Sequence, residues 1–241
     1  MKIVYQIPGD MTAGPLGPAE LTRRQRILQD WAFSATVVEV ADTPGGPPSI
    51  ESYAEELLCV GPMLRALTAR PALPDAVIIG CFGDPGLGAV REVLDCLVVG
   101  PFEASFHVAS QLGRRVGVVT VLDNVVPVLD HLVRGMGETL NWAGAVSVNI
   151  SVLDLKAHAD ALASRVAEVA RPLVDDRGAD VLLVGCMSMA FLGVAEELGV
   201  RLGVPVVNPA RAALKTAEML VALGVGHSRR TYPRPPKPIV F

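Results

Sequence analysis

The sequence predicts an α/β fold with parallel sheets, arranged as two similar lobes related by a pseudo-two-fold axis. Three observations carry this expectation. Short β-branched runs alternate along the chain with longer helical patterns. The runs are apolar on both faces, as strands covered by helices on either side must be. A strand–turn–helix unit from the first half also recurs in the second half.

The strands are expected in the order KIVYQI, ATVVEV, AVIIG, LVVG, RVGVVTV, AVSVNI, DVLLVG and PVVN. Between them lie amphipathic stretches such as SYAEELLCVGPMLRALTA and KAHADALASRVAEVARPLV, whose apolar residues recur at helical spacing. Proline clusters at 44–48 and 233–238 mark a loop and an extended tail.

The repeat sets DAVIIGCFGDPGLGAVREVL, from Asp75, against DVLLVGCMSMAFLGVAEELG, from Asp180. Without a gap, Asp75 matches Asp180, Gly80 matches Gly185, and Cys81 matches Cys186. Leu87, Gly88 and Glu92 then fall on Leu192, Gly193 and Glu197. LVVGPFEAS at 97–105 resembles PVVNPARAA at 205–213 in the same way. The period is too long for a solenoid and reads as two lobes.

Composition narrows the function. No apolar run approaches the ~20 residues that cross a bilayer, and MKIVYQIPGDM is too short in apolar residues for a signal peptide. A cytoplasmic protein without a membrane partner is expected. The net charge is −4, aromatics are sparse and the basic cluster at Arg229–Arg230 is short, which argues against nucleic acid. Cys59, Cys81, Cys96 and Cys186 form no C-x-x-C pair, and the four histidines have no ligand spacing, so free thiols and no metal are expected. The glycines at 83–88 are not a dinucleotide fingerprint, and no cofactor is expected.

Cys81 and Cys186 each end an apolar strand, where parallel α/β sheets bind ligands beside the next helix N-terminus. Backbone N–H groups there favour the thiolate. If the lobes face each other, two sulfurs could serve one flat carbon, one removing a proton and the other returning one to the opposite face. N–H groups at CFGD and CMSM would stabilise the intermediate oxyanion, and Gly83 and Ser188 are small enough for close approach. Asp84 reads as a helix cap, His107 as a partly buried packing residue, and Cys59 and Cys96 as core.

GCFGDPGLGAVREV, with VVGPFEAS after it, resembles the first catalytic region of hydantoin racemases in the Asp/Glu racemase superfamily. GCMSMA with GVPVVNP resembles the second. The resemblance implies two Rossmann-like lobes, residues 1–100 plus 207–241 and residues 101–206, with a cofactor-independent two-thiol site between them. It implies Cys81 and Cys186 as acid and base, and Pro8, Phe82, Gly83, Thr120, Met187 and Ser188 as substrate-binding residues. Glu103 and Ser105 match a run of structural character.

Two positions depart from the family pattern. The first strand leads into Ile7-Pro8-Gly9-Asp10 in place of an Asn-Pro-Asn loop, and Val121 stands where a second threonine is usual. The expected activity is racemisation of a 5-monosubstituted hydantoin, a small-molecule substrate, by a homo-oligomer. Other activities of the superfamily are amino-acid or allantoin racemisation, maleate-type isomerisation and arylmalonate-type decarboxylation. A non-catalytic binding protein on the same scaffold is the alternative of a different class.

Overall fold

A computed structural model describes residues 1–137 and 141–239. Its contacts divide the chain into two units. The first holds Met1–Ile50, Ala54–Pro101 and the chain from Ala213 on; the second holds Glu51–Tyr53 and Phe102–Ala212.

In chain order the first part of the molecule contains β1 (Lys2–Gln6), α1 (Gly17–Trp31), β2 (Val37–Ala41), α2 (Tyr53–Leu58), α3 (Val60–Thr68), β3 (Ala76–Ile79), α4 (Leu87–Val93) and β4 (Leu97–Val99). Then follow α5 (Pro101–Leu112), β5 (Arg115–Thr120), α6 (Val126–Gly135), β6 (Asn141–Ser147), α7 (Ala159–Asp175) and β7 (Val181–Val184). The chain continues through α8 (Met187–Phe191), α9 (Val194–Leu202), β8 (Val206–Val207) and α10 (Pro209–Ala222).

Among the described residues the strands form two parallel four-stranded sheets, ordered β2-β1-β3-β4 and β6-β5-β7-β8. The order is the same in both, so the sequence repeat is a repeat of topology. Central strands AVII and VLLV are buried throughout, which their β-branched, both-face apolar composition requires. The first core packs Val4, Met63, Leu67, Val77, Ile79 and Val98 together. The second gathers Val119, Leu162, Val166, Leu173, Leu182 and Leu198, with α7 burying one stripe of its surface.

The aspartates before the central strands do equivalent work. Asp75 accepts from the Lys2 N–H at 2.6 Å, and Asp180 from the Arg115 N–H at 2.7 Å, so each pins the start of the neighbouring strand.

Beyond the cysteines the gapless alignment slips. The left-handed glycine that precedes the next helix is Gly86 (φ 68°) in one unit and Gly193 (φ 74°) in the other. The partner of Gly193 is therefore Gly86, not Gly88, because the second unit inserts α8 between the cysteine and that glycine.

The last stretch of the first unit begins at Ala213. β8 is hydrogen-bonded to β7. Asn208 accepts from the Ala210 and Arg211 N–H groups at 3.1 and 3.2 Å and donates to the Ala190 carbonyl at 3.0 Å, tying the start of α10 to α8.

The GHSRRTY segment covers the exposed edge of the first sheet. The Val98 N–H donates to His227 Nε2 at 2.7 Å, and the Val98 carbonyl accepts from buried Arg91 at 3.1 Å. Both outward groups of edge strand β4 are thus satisfied. Arg229 donates to the carbonyls of Arg91, Glu92 and Leu94, closing the C-terminal end of α4.

Candidate active site

Each cysteine follows a glycine held against the neighbouring central strand. The Gly80 N–H donates to the Gln6 carbonyl at 2.6 Å, and the Gly185 N–H to the Val119 carbonyl at 2.7 Å. A Cβ on Gly80 would lie 2.9 Å from that carbonyl oxygen and 2.8 Å from the Tyr5 ring, and one on Gly185 would lie 2.6 Å from Val118. Only glycine lets the strands run this close, and it delivers Cys81 and Cys186 to equivalent strand ends.

The turns after them differ. Cys81 is half-buried, and its carbonyl accepts from the Asp84 N–H at 3.2 Å. Asp84 takes a left-handed φ of 52°, and Pro85 and left-handed Gly86 postpone α4 to Leu87. Cys81 is therefore not at a helix N-terminus, contrary to the sequence expectation. Cys186, 7 % exposed, does occupy the N-cap of a helix, and its carbonyl accepts from Ala190 N–H at 3.0 Å. That helix, α8, is a single short turn of five residues.

Phe82 and Met187 are buried, at 3 % and 4 % exposure, whereas Gly83 and Ser188 are half-buried. Thr120 is fully buried and donates its hydroxyl to the Gly185 carbonyl at 3.3 Å, so it braces the residue before Cys186. Val121 packs in the second core.

Pro8 is buried, and its loop interlocks with residues 43–48: a Cβ on Gly46 would lie 2.6 Å from the Pro8 carbonyl oxygen. The Asp10 carboxylate accepts from the Ala13 and Gly45 N–H groups at 3.0 Å each, which lowers its pKa. The departure from an Asn-Pro-Asn loop thus yields a self-contained loop whose acid is used internally.

Other expectations resolve differently. Asp84 does not hold the N-cap position of α4, which is Gly86; its carboxyl lies against Gly100, where a Cβ would overlap it. His107 is exposed, not partly buried. Ser105 is buried and Glu103 half-buried. Cys59 is fully buried and Cys96 half-buried; burial pushes their thiols up to about 12 and about 11, well outside the range of a working base. All four cysteines are free thiols. Among the described residues no acid, histidine or cysteine cluster could hold a metal, and no helix is long and apolar enough to cross a membrane.

One residue near the Cys81 turn has no signal in the sequence. Glu56, on α2, places its carboxyl against Gly83, and a Cβ on that glycine would overlap Oε1. Burial raises its pKa to about 7.

The profile of the Asp/Glu/hydantoin racemase family matches residues 19–217. The chain belongs to that family. It is 35 % identical to the hydantoin racemase of Paenarthrobacter aurescens over 210 residues, 86 % of this chain and 88 % of that protein. It is 36 % identical to the hydantoin racemase of Pseudomonas sp. strain NS671 over 208 residues, 86 % of this chain and 83 % of that one. The allantoin racemase structure from Pseudomonas fluorescens superposes with a TM-score of 0.90 at 28 % identity, covering both chains completely.

Proposed function

We propose that this racemase-family protein inverts the C5 stereocentre of a 5-monosubstituted hydantoin, without a cofactor, using Cys81 and Cys186 as the two proton-transfer groups. The observation that carries the reading is the equivalence of the two cysteines. Each follows a glycine locked to the central strand, and each begins a turn with a small residue two positions on, Gly83 or Ser188.

Hydantoin C5 lies beside the C4 carbonyl. One cysteine, as thiolate, takes the C5 proton; the electron pair moves into the ring and the charge rests on the C4 oxygen. The other cysteine, as thiol, gives its proton to the opposite face of C5, the carbonyl re-forms, and the second sulfur is left as the thiolate. The two sulfurs have exchanged roles, so the next turnover runs from the other enantiomer. Backbone N–H groups of the turns at Phe82–Gly83 and Met187–Ser188 are the donors for the developing oxyanion.

Both relatives named hydantoin racemase and the structure named allantoin racemase support one substrate class, because allantoin is itself a hydantoin carrying a ureido group at C5. The test is the loss of optical rotation by single enantiomers of 5-alkyl, 5-aryl and 5-ureido hydantoins. Loss of rotation from both enantiomers of at least one supports the proposal. No loss from any of them at high enzyme concentration sinks it.

A further inference from the structure

The half-buried Glu56 carboxyl stands out among the ionisable groups outside the cysteine pair. It belongs to α2, whose neighbouring residues Tyr53, Leu57 and Leu58 are exposed. The carboxyl turns the other way, onto the Cα of Gly83: a Cβ there would overlap Oε1 and lie 3.2 Å from Cδ. Gly83 thus leaves room for this acid. Two Cα–Cα steps separate Gly83 from Cys81, so the Cα atoms are at most about 7.6 Å apart. That is within the distance over which a charge acts at ordinary ionic strength.

We propose that Glu56 is a positioning residue of the Cys81 turn, and that its charge state sets how readily the Cys81 thiol becomes a thiolate. The proposal rests on the reading of Cys81 as a reacting group. As a neutral acid, Glu56 packs against the turn without opposing a charge on sulfur or on the substrate oxygen. As a carboxylate it raises the thiol pKa, because like charges disfavour each other's ionised form.

Three facts support this. Burial lifts the Glu56 pKa to about 7, so both charge states are reached near neutral pH. Glu55 precedes it on α2, Cys59 at the head of α3 donates to the Glu56 carbonyl, and Cys81 and Asp84 lie within two residues of Gly83 on the turn that its carboxyl meets. The Glu56 charge already adds to the effect of burial in raising the Cys59 thiol. Finally, Cys81 lacks a helix N-terminus of its own, since α4 begins only at Leu87, so no helix dipole there swamps a neighbouring acid.

The experiment is peptide-level alkylation of Cys81 by iodoacetamide across pH, in the full-length protein and without substrate. The isosteric Glu56→Gln should move the midpoint of Cys81 reactivity down by about half to one pH unit. Glu56→Ala should move it the same way, since both remove the charge. An unchanged midpoint in Glu56→Gln overturns the proposal, as does a shift in Glu56→Ala alone, which would mark a packing effect. Because no turnover is needed, failure here is separable from failure of the racemase reading. The latter appears as retained racemisation in cysteine variants, whatever the alkylation midpoint.

Discussion

The Asp84 carboxyl occupies the space where a side chain on Gly100 would begin, at the N-terminal end of α5. In the second unit the residue at the matching point of the repeat is Asn208, which caps α10 with its own amide. The first unit divides the same task between two residues: glycine leaves the room, and an acid from the cysteine turn fills it with charge that suits a helix N-terminus. This accounts for Asp84 keeping a left-handed φ of 52°, a conformation that costs an L-residue about 1–2 kcal/mol.

Asp84 is therefore expected to act on structure. Asp84→Ala should lower stability by about 1 kcal/mol in urea denaturation and leave kcat/KM within about tenfold of wild type, below the effect of losing a proton-transfer group. A fall of about a hundredfold or more with the fold intact would make it a proton-transfer group. Gly100→Ala should destabilise by about 2 kcal/mol, because the new methyl overlaps the Asp84 carboxyl.

Glu218 anchors the C-terminal segment to the first unit. Fully buried on α10, it accepts from the Phe33 N–H at 2.6 Å, the Thr36 hydroxyl at 2.7 Å and Lys215 at 2.8 Å. Glu218→Ala strands the buried Thr36 hydroxyl and the partly buried Phe33 N–H and should cost about 2–3 kcal/mol. Limited proteolysis should then cut earlier in the segment after Ala213 than in wild type.

Acid stability should depend on Glu20. Burial opposes its charge, but hydrogen bonds from Arg23 and buried Arg24 win, and the carboxyl falls from 4.5 to about 2. Because the folded-state value is the lower one, the contribution is full above about pH 4.5 and is lost as pH falls towards 2. Glu20→Gln should lower stability at pH 7 by about 2–3 kcal/mol. Its penalty should shrink between pH 4.5 and pH 2 when the two proteins are melted in parallel.

His227 and Arg229 should stabilise the edge of the first sheet. His227→Ala leaves the Val98 N–H without its acceptor and should cost about 1–2 kcal/mol in urea denaturation. Arg229→Ala uncovers the carbonyls at the end of α4 and should cost a comparable amount.

Both-face apolar runs announce parallel strands, so AVII and VLLV were legible as central strands, and the matched glycine–cysteine pairs marked two strand ends. What the sequence did not disclose depends on contacts between distant segments. Gly83 read as small for close backbone approach, yet the Glu56 carboxyl lies against it, as the Asp84 carboxyl lies against Gly100. Arg229 read only as part of a short basic cluster, and β4's place at the sheet edge shows which backbone groups it and His227 satisfy. The register of the repeat beyond the cysteines was misleading because α8 adds residues to one turn only, a change the Leu-Gly coincidence conceals.

The central claim is that Cys81 and Cys186 are both required to invert one carbon. The most direct test is to follow racemisation and C5 deuterium incorporation in D2O for each enantiomer of a hydantoin that the wild-type protein racemises. Cys81→Ser and Cys186→Ser are assayed beside it. Racemisation should vanish in both variants, while any residual exchange should favour opposite enantiomers in the two. Racemisation retained near the wild-type rate in either variant would contradict the two-thiol account.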